Sequence, residues 1–174
     1  MFPVCLAIPN FQGLCTNIIR NEISGESDIC LIVCTLITSC VRNCLFPASK
    51  IIAIDMLLAL GIQLNDHYKI DRIVPYLVLL LKDENVQVRV NALVALTQLL
   101  SLVSQISQQD TNLFPDYLLP ALKSFSSDSS VLARSSYAQC ISNIGNLIVY
   151  LPFNSFSSGK RTHVSGTGGT FGGW

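Results

Sequence analysis

Charge is what this sequence has least of. Asp, Glu, Lys and Arg make up 13% of 174 residues, split 11 basic against 11 acidic, so the formal net charge is zero. Such a balance carries no electrostatic footprint for nucleic acid, which shows as a basic patch or excess. It also does little to keep copies apart, because a net charge near zero favours association. Half of the residues are hydrophobic, yet long uninterrupted apolar runs are missing: Ile29–Val41 spans 13 residues, short of the ~17–25 a membrane-crossing helix needs. Two longer uncharged runs, Val90–Gln109 and Ser135–Gly159, carry Asn, Gln and Ser throughout, and polar side chains are costly against lipid. Met1–Phe11 has neither the basic start nor the long apolar core of a signal peptide. The expected location is cytoplasmic, with contact to a membrane only through a partner.

Of the 7 cysteines, Cys5, Cys15, Cys30, Cys34, Cys40 and Cys44 precede residue 45. Two C-x3-C pairs invite a zinc reading. One continuous helix would hold Cys30 and Cys44 ~21 Å apart along its axis, whereas the ligands of one zinc all lie within ~2.3 Å of the metal. These cysteines share a helical stripe with Val33, Ile37 and Val41, so they read as small buried hydrophobes. No metal and no cofactor is expected. An odd cysteine count fits reduced thiols better than a disulfide framework.

The chain reads as helices separated by breakers. Residues 1–27 form an irregular segment punctuated by Pro3, Pro9 and Gly13. Helices are expected over Asp28–Asn43, over Lys50–Leu64 behind a Ser49 N-cap, and over Lys69–Lys82. A turn at Asp83-Glu84-Asn85 leads into the stretch DENVQVRVNALVALTQLLSLVS. On a helical wheel Asn91, Thr97, Gln98, Ser101 and Ser104 fall on one side, while Ala92, Leu93, Ala95, Leu96, Leu99, Leu100, Leu102 and Val103 cover the opposite half. So wide an apolar face implies burial between neighbours. Arg89 projects from within it and needs a carboxylate, either Asp83 or the equivalent in an adjoining unit. A polar connection, Gln105–Asn112, precedes a helix opening near Pro115 and reaching Phe125. A final helix covers about Ser129–Tyr150, and residues 152–174, rich in Ser and Gly, read as a disordered tail.

The decisive pattern is an internal repeat. Shifting the chain by 45 residues carries Pro75 onto Pro120, Asp83 onto Asp128, Val86 onto Val131 and Arg89 onto Arg134. Each unit is a helix bent at an internal proline, a short turn containing Asp, and a second helix starting near a Val and an Arg. Asp28–Asn43 with Lys50–Leu64 reads as an earlier unit without the proline and without the Asp…Arg element. The expected fold is all-α: a HEAT/armadillo-type solenoid of about three helical pairs (28–64, 69–104 and 113–150). The proline bend and the Asp-turn-Val…Arg step resemble HEAT repeats in particular.

A closer resemblance rests on Asp71-Arg72-Ile73-Val74-Pro75-Tyr76-Leu77, on LTQLLSLV at 96–103, on Phe114-Pro115-Asp116-Tyr117-Leu118-Leu119-Pro120, and on Arg134-Ser135-Ser136-Tyr137-Ala138. In this order they resemble the HEAT region of the protein-kinase-like regulatory subunit of class III phosphatidylinositol 3-kinase. The resemblance covers about residues 26–150. It implies an inter-repeat ladder built from Asp83, Arg89, Asp128 and Arg134, and protein partners: the lipid kinase catalytic subunit and its adaptor, on endosomal or autophagic membranes. Family members also carry a kinase-like domain and a propeller. This sequence has no Gly-rich loop after a strand, no H-R-D and no D-F-G, so it holds no apparatus for phosphoryl transfer. Two alternatives stand beside this reading: a generic HEAT binding module of the phosphatase-scaffold or transport-receptor type, and a fragment of a parent serine/threonine kinase.

His67 and His163 have no catalytic partner in the sequence. Tyr76, Tyr117 and Tyr137 are expected to pack between helices. The mixed cluster Asp66, Lys69, Asp71, Arg72, Lys82, Asp83 and Glu84 reads as a solvated turn edge. One feature rises above this background: the polar side of the second helices bears no ionised residue, whereas exposed helix faces are usually charged. Asn91, Gln98, Ser101, Gln139, Ser142 and Asn143 are therefore the candidate partner surface.

Overall fold

A computed structural model describes residues 27–106 and 114–157, and within these all regular structure is helical. The expected all-α stack is what is found. The first unit pairs α1 (Ser27–Arg42) with α2 (Pro47–Gln63). The second begins with α3 (Asp66–Tyr68), widens into a π-helical turn at Lys69–Ile73, continues as α4 (Val74–Leu80) and returns as α5 (Val86–Ser101). In the third, a π-helical turn at Phe114–Leu118 leads into α6 (Leu119–Lys123), a 3₁₀ turn at Ser124–Ser127, and α7 (Val131–Ser157).

The second helices form the spine, with α5 packed against α2 on one side and α7 on the other, and α4 behind it. That is why its apolar arc is so wide. Leu93, Leu96, Leu99 and Leu100 are all fully buried. Close stacking of α2 on α5 depends on Gly61, where a Cβ would lie 2.4 Å from Leu99 Cδ1.

Each bend carries the same device. The two π-helical turns are themselves related by the 45-residue shift, and each ends two residues before its proline, Pro75 or Pro120. A proline ring clashes with the carbonyl four residues back and offers no N–H. Widening the helix just ahead of it, where the Val74 N–H donates to the Lys69 carbonyl, absorbs that clash without ending the element. The simple helix expected over Lys69–Lys82 is thus three segments, and it starts earlier. Asn65, in the break between the two expected helices, caps it by accepting from the Tyr68 N–H.

Other expectations are corrected. Helix α2 opens on Pro47 rather than behind Ser49, since a proline fits the first turn where no N–H is needed. Ile62, spaced along α2 with the apolar Ile51, Ile54, Leu57 and Leu58, is nevertheless 62% exposed. Thr97, placed on the polar side, is buried, and its hydroxyl donates to the Leu93 carbonyl, which satisfies it within the helix. Tyr117 is exposed instead of packed, while Tyr137 stacks on Phe125 at 6.4 Å. Helix α7 runs through Pro152 to Ser157, past the expected boundary of the tail. Residues 158–174, most of the Gln105–Asn112 connection, and residues 1–26 lie outside the described residues.

Candidate functional site

The turns before α5 and α7 are built alike. The Asp83 carboxylate accepts from the Asn85 N–H at 2.9 Å, and Asp128 accepts from the Ser130 N–H at 2.8 Å. Arg89 folds back so that Nη1 donates to the carbonyls of Asp83 and Glu84; Arg134 does the same to Asp128 and Ser129. Each arginine thereby ties down its own turn with one edge of the guanidinium.

The other edge of Arg89 crosses to the next unit. Its Nε and Nη2 donate to the two Asp128 oxygens at 3.0 and 2.9 Å, with both side chains 12% exposed. The geometry is a bidentate fork, the strongest arrangement open to this pair. The Ser130 N–H, opposed by partial burial and aided by Arg89 and then Arg134, holds the Asp128 carboxyl below its usual range. Of the two carboxylates offered to Arg89, the neighbour's thus takes the side-chain contact, and Asp83 contributes its backbone.

The carboxylate of Asp83 faces the first unit and pairs with the Lys50 ammonium. Lys50 was missed because the first two units are 39 residues apart rather than 45. At that offset Lys50 falls on Arg89, and Cys44 falls where Asp83 stands. The six extra residues lie in the longer connection after α5. The lysine is in register with Arg89 at an offset of 39 and out of register at 45.

The mixed cluster read as a solvated turn edge has buried members. Lys69 is 7% exposed and donates to Asp66 and to the Leu102 carbonyl. Asp66 also accepts the N–H groups of Ser104 and Gln105, which pins the end of α5. Burial pushes the Asp66 carboxyl up, but Lys69 and those two N–H groups outweigh it and hold it below its usual value. Asp71 and Arg72 form an exposed pair with each other. Cys30, Cys34 and Cys44 are buried as expected, Cys40 only partly, and burial drives the Cys34 thiol up to about 11. Among the described residues, no group of three or more His, Cys, Asp or Glu is placed to hold a metal ion, and no helix is long and apolar enough to cross a membrane.

Gln98, Ser101, Gln139, Ser142 and Asn143 are exposed, while Asn91 is half-buried and donates to the Gln87 carbonyl. The two offsets align Asp55 with Val94 and Gln139, Ala59 with Gln98 and Asn143, and Ile62 with Ser101 and Asn146. The resulting face spans α2, α5 and α7 and bears one charge in these rows, Asp55.

Stacked helical pairs joined by cation–carboxylate rungs define a class, the α-solenoid repeat proteins. A family model described as PIK3R4-like, middle domain, matches residues 33–149, and the chain belongs to that family. It is 36% identical over 114 residues to a VPS15-type serine/threonine-protein kinase of Komagataella pastoris, covering 66% of this chain and 8% of the relative. Against the serine/threonine-protein kinase vps15 of Schizosaccharomyces pombe the identity is 33% over 106 residues, 61% of this chain and 6% of the relative. The VPS15 of Arabidopsis thaliana gives 32% over 117 residues, 67% and 8% respectively. The chain therefore spans less than a tenth of the length of these relatives, and its match is to a middle segment.

Proposed function

We propose that this array is a non-catalytic scaffold segment of a VPS15-type regulatory subunit, which holds the class III phosphatidylinositol 3-kinase catalytic subunit and its adaptor on endosomal or autophagic membranes. Within that reading, Asn91, Gln98, Ser101, Gln139, Ser142 and Asn143 make the protein contact. The observation that carries the surface is the exposed face across α2, α5 and α7, with Asp55 as the one charge in its aligned rows. A face meant only for water gains solubility from charge; one covered by protein avoids the cost of burying it. The ladder of Lys50–Asp83 and Arg89–Asp128 gives the face its fixed spacing.

The test is made in the full-length parent. Lysine at both Gln98 and Gln139 is expected to cut co-purification of the lipid kinase catalytic subunit at least tenfold, with helicity unchanged. Undiminished recovery refutes the surface. Recovery of a phosphatase core or of transport cargo in place of the lipid kinase refutes the assignment to that complex.

A further inference from the structure

The turn between α1 and α2 keeps the shape of the later turns but not their chemistry. At an offset of 39, Cys44, Leu45 and Phe46 fall on Asp83, Glu84 and Asn85, which at 45 fall on Asp128, Ser129 and Ser130. Phe46 stands at the N-cap of α2 with φ −85° and ψ 122°; Asn85 stands at the N-cap of α5 with φ −83° and ψ 124°. The Asn85 side chain accepts from the Gln87 and Val88 N–H groups, whereas Phe46 supplies no cap bond. One helix start thus forgoes the polar cap its backbone is shaped for. In its place Leu45 is 86% exposed and Phe46 52%. Stacking of units does not hide the tip of such a turn, since Glu84 and Ser129 are exposed although each has a preceding unit beside it.

The three turns line one edge of the array, joined by the Lys50–Asp83 and Arg89–Asp128 rungs. Exposed cations share that edge, Arg42, Lys82, Lys123 and Arg134, against a single exposed carboxylate, Glu84. Arg42 is held there by Tyr76, with its guanidinium 5.5 Å from the ring centroid. On the opposite edge Asp66 pairs with Lys69 and Asp71 with Arg72, and Asp116 adds an exposed carboxylate. A chain of zero formal net charge therefore has one cationic edge, and that edge bears an apolar tip.

We infer that this edge lies directly on an anionic lipid surface. Leu45 and Phe46 enter the boundary between headgroups and acyl chains, while Arg42, Lys82, Lys123 and Arg134 face the lipid anions. Apolar side chains gain by leaving water at that boundary, and cations are drawn to the surface charge within a Debye length, ~8 Å at physiological salt. A lipid layer meets all three turns at once because they stand in one row; a protein pocket would enclose the Leu45–Phe46 tip alone. The contact goes beyond the partner-mediated association expected from the sequence. It is also separate from the polar face of α2, α5 and α7, and neither assignment rests on the other.

The test floats the intact chain with vesicles of phosphatidylcholine containing phosphatidylserine, and with vesicles of phosphatidylcholine alone. Binding is expected to the first, and to be at least tenfold weaker on the second. Leu45→Ser with Phe46→Asn installs the residues of the later turns without changing charge. It supplies the missing cap, so it should abolish binding with the melting temperature unchanged or raised. Lys82→Glu with Lys123→Glu, both exposed, should weaken binding at least tenfold while the tip stays intact. The chain has one tryptophan, so Phe46→Trp in a Trp174→Phe background gives a single indole, which brominated phosphatidylcholine in the anionic vesicles should quench. No binding to anionic vesicles, equal binding to neutral ones, binding that survives either pair of substitutions, or an unquenched indole overturns the inference. Vesicle binding that survives Leu45→Ser with Phe46→Asn, while that pair releases a protein from the full-length parent, gives the tip to a protein partner and overturns it too.

Discussion

The Arg89–Asp128 rung should be the strongest single electrostatic link between the second and third units, and a double-mutant cycle measures it. Both side chains are 12% exposed and share two bonds of 2.9 and 3.0 Å. Removing one partner of a buried pair costs about 3–5 kcal/mol because the other charge is stranded. With an eighth of each side chain still reached by water, the low end applies, roughly 3 kcal/mol for Asp128→Ala. That variant also loses the bond from the Ser130 N–H. Asp128→Asn can keep it, and should be milder by about 1 kcal/mol, the usual net value of one intramolecular hydrogen bond. Arg89→Ala loses the bonds to the Asp83 and Glu84 carbonyls as well, but these do not involve Asp128 side-chain atoms and cancel in the cycle. The coupling energy that remains should be about 1.5–3 kcal/mol, the range for hydrogen bonds to charged groups. The assay is urea unfolding followed by circular dichroism, with amide exchange to show that α7 is the element loosened. A coupling below about 0.5 kcal/mol would place the pair among ordinary surface ion pairs and refute the argument.

Three further outcomes follow from particular residues. Asp128 and Asp66 both have folded-state values below the ordinary 3.8. The unfolded chain therefore binds more protons in acid, so their contribution is complete above about pH 5 and is lost as pH falls below 4 through the lowered values; Asp128→Asn should flatten the acid limb of a stability-versus-pH curve. Cys34, 1% exposed with its thiol raised to about 11, should resist iodoacetamide at pH 8 in the folded chain and react at the rate of unfolding, and rapid labelling of the native protein would contradict its placement. Gly61→Ala should cost about 1 kcal/mol net, because a Cβ at 2.4 Å from a fully buried leucine overpacks by more than the ~1 kcal/mol helix gain. In contrast, Gly145→Ala, facing open space, should keep that gain, and paired thermal melts decide between the two.

Much of the ladder is legible in the amino-acid sequence. Asp83, Arg89, Asp128 and Arg134 stand in register along the chain because the repeat preserves the turn they build, and the apolar arc of α5 announces that the helix is enclosed. The family resemblance in the Phe114–Pro120 segment agrees with the family match over 33–149. Lys50 was not legible from the 45-residue shift, because a longer connection changes the period between units. Thr97 was misplaced because a wheel treats threonine as polar, whereas its hydroxyl bonds to its own helix and frees the side chain to be buried.

The sequence by itself determined the helices, their repetition and the placing of an aspartate and an arginine at the turns before α5 and α7, since periodicity and turn chemistry are local. Only the tertiary structure decided which aspartate each cation takes. Lys50 and Asp83 are 33 residues apart, and Arg89 and Asp128 are 39; their meeting depends on how one hairpin stacks on the next. That stacking is set by the fit of Leu99 on Gly61 and the enclosure of α5 by α2 and α7. Contacts across a seam come from shape in three dimensions, and a one-dimensional pattern names the candidates without choosing the pairs.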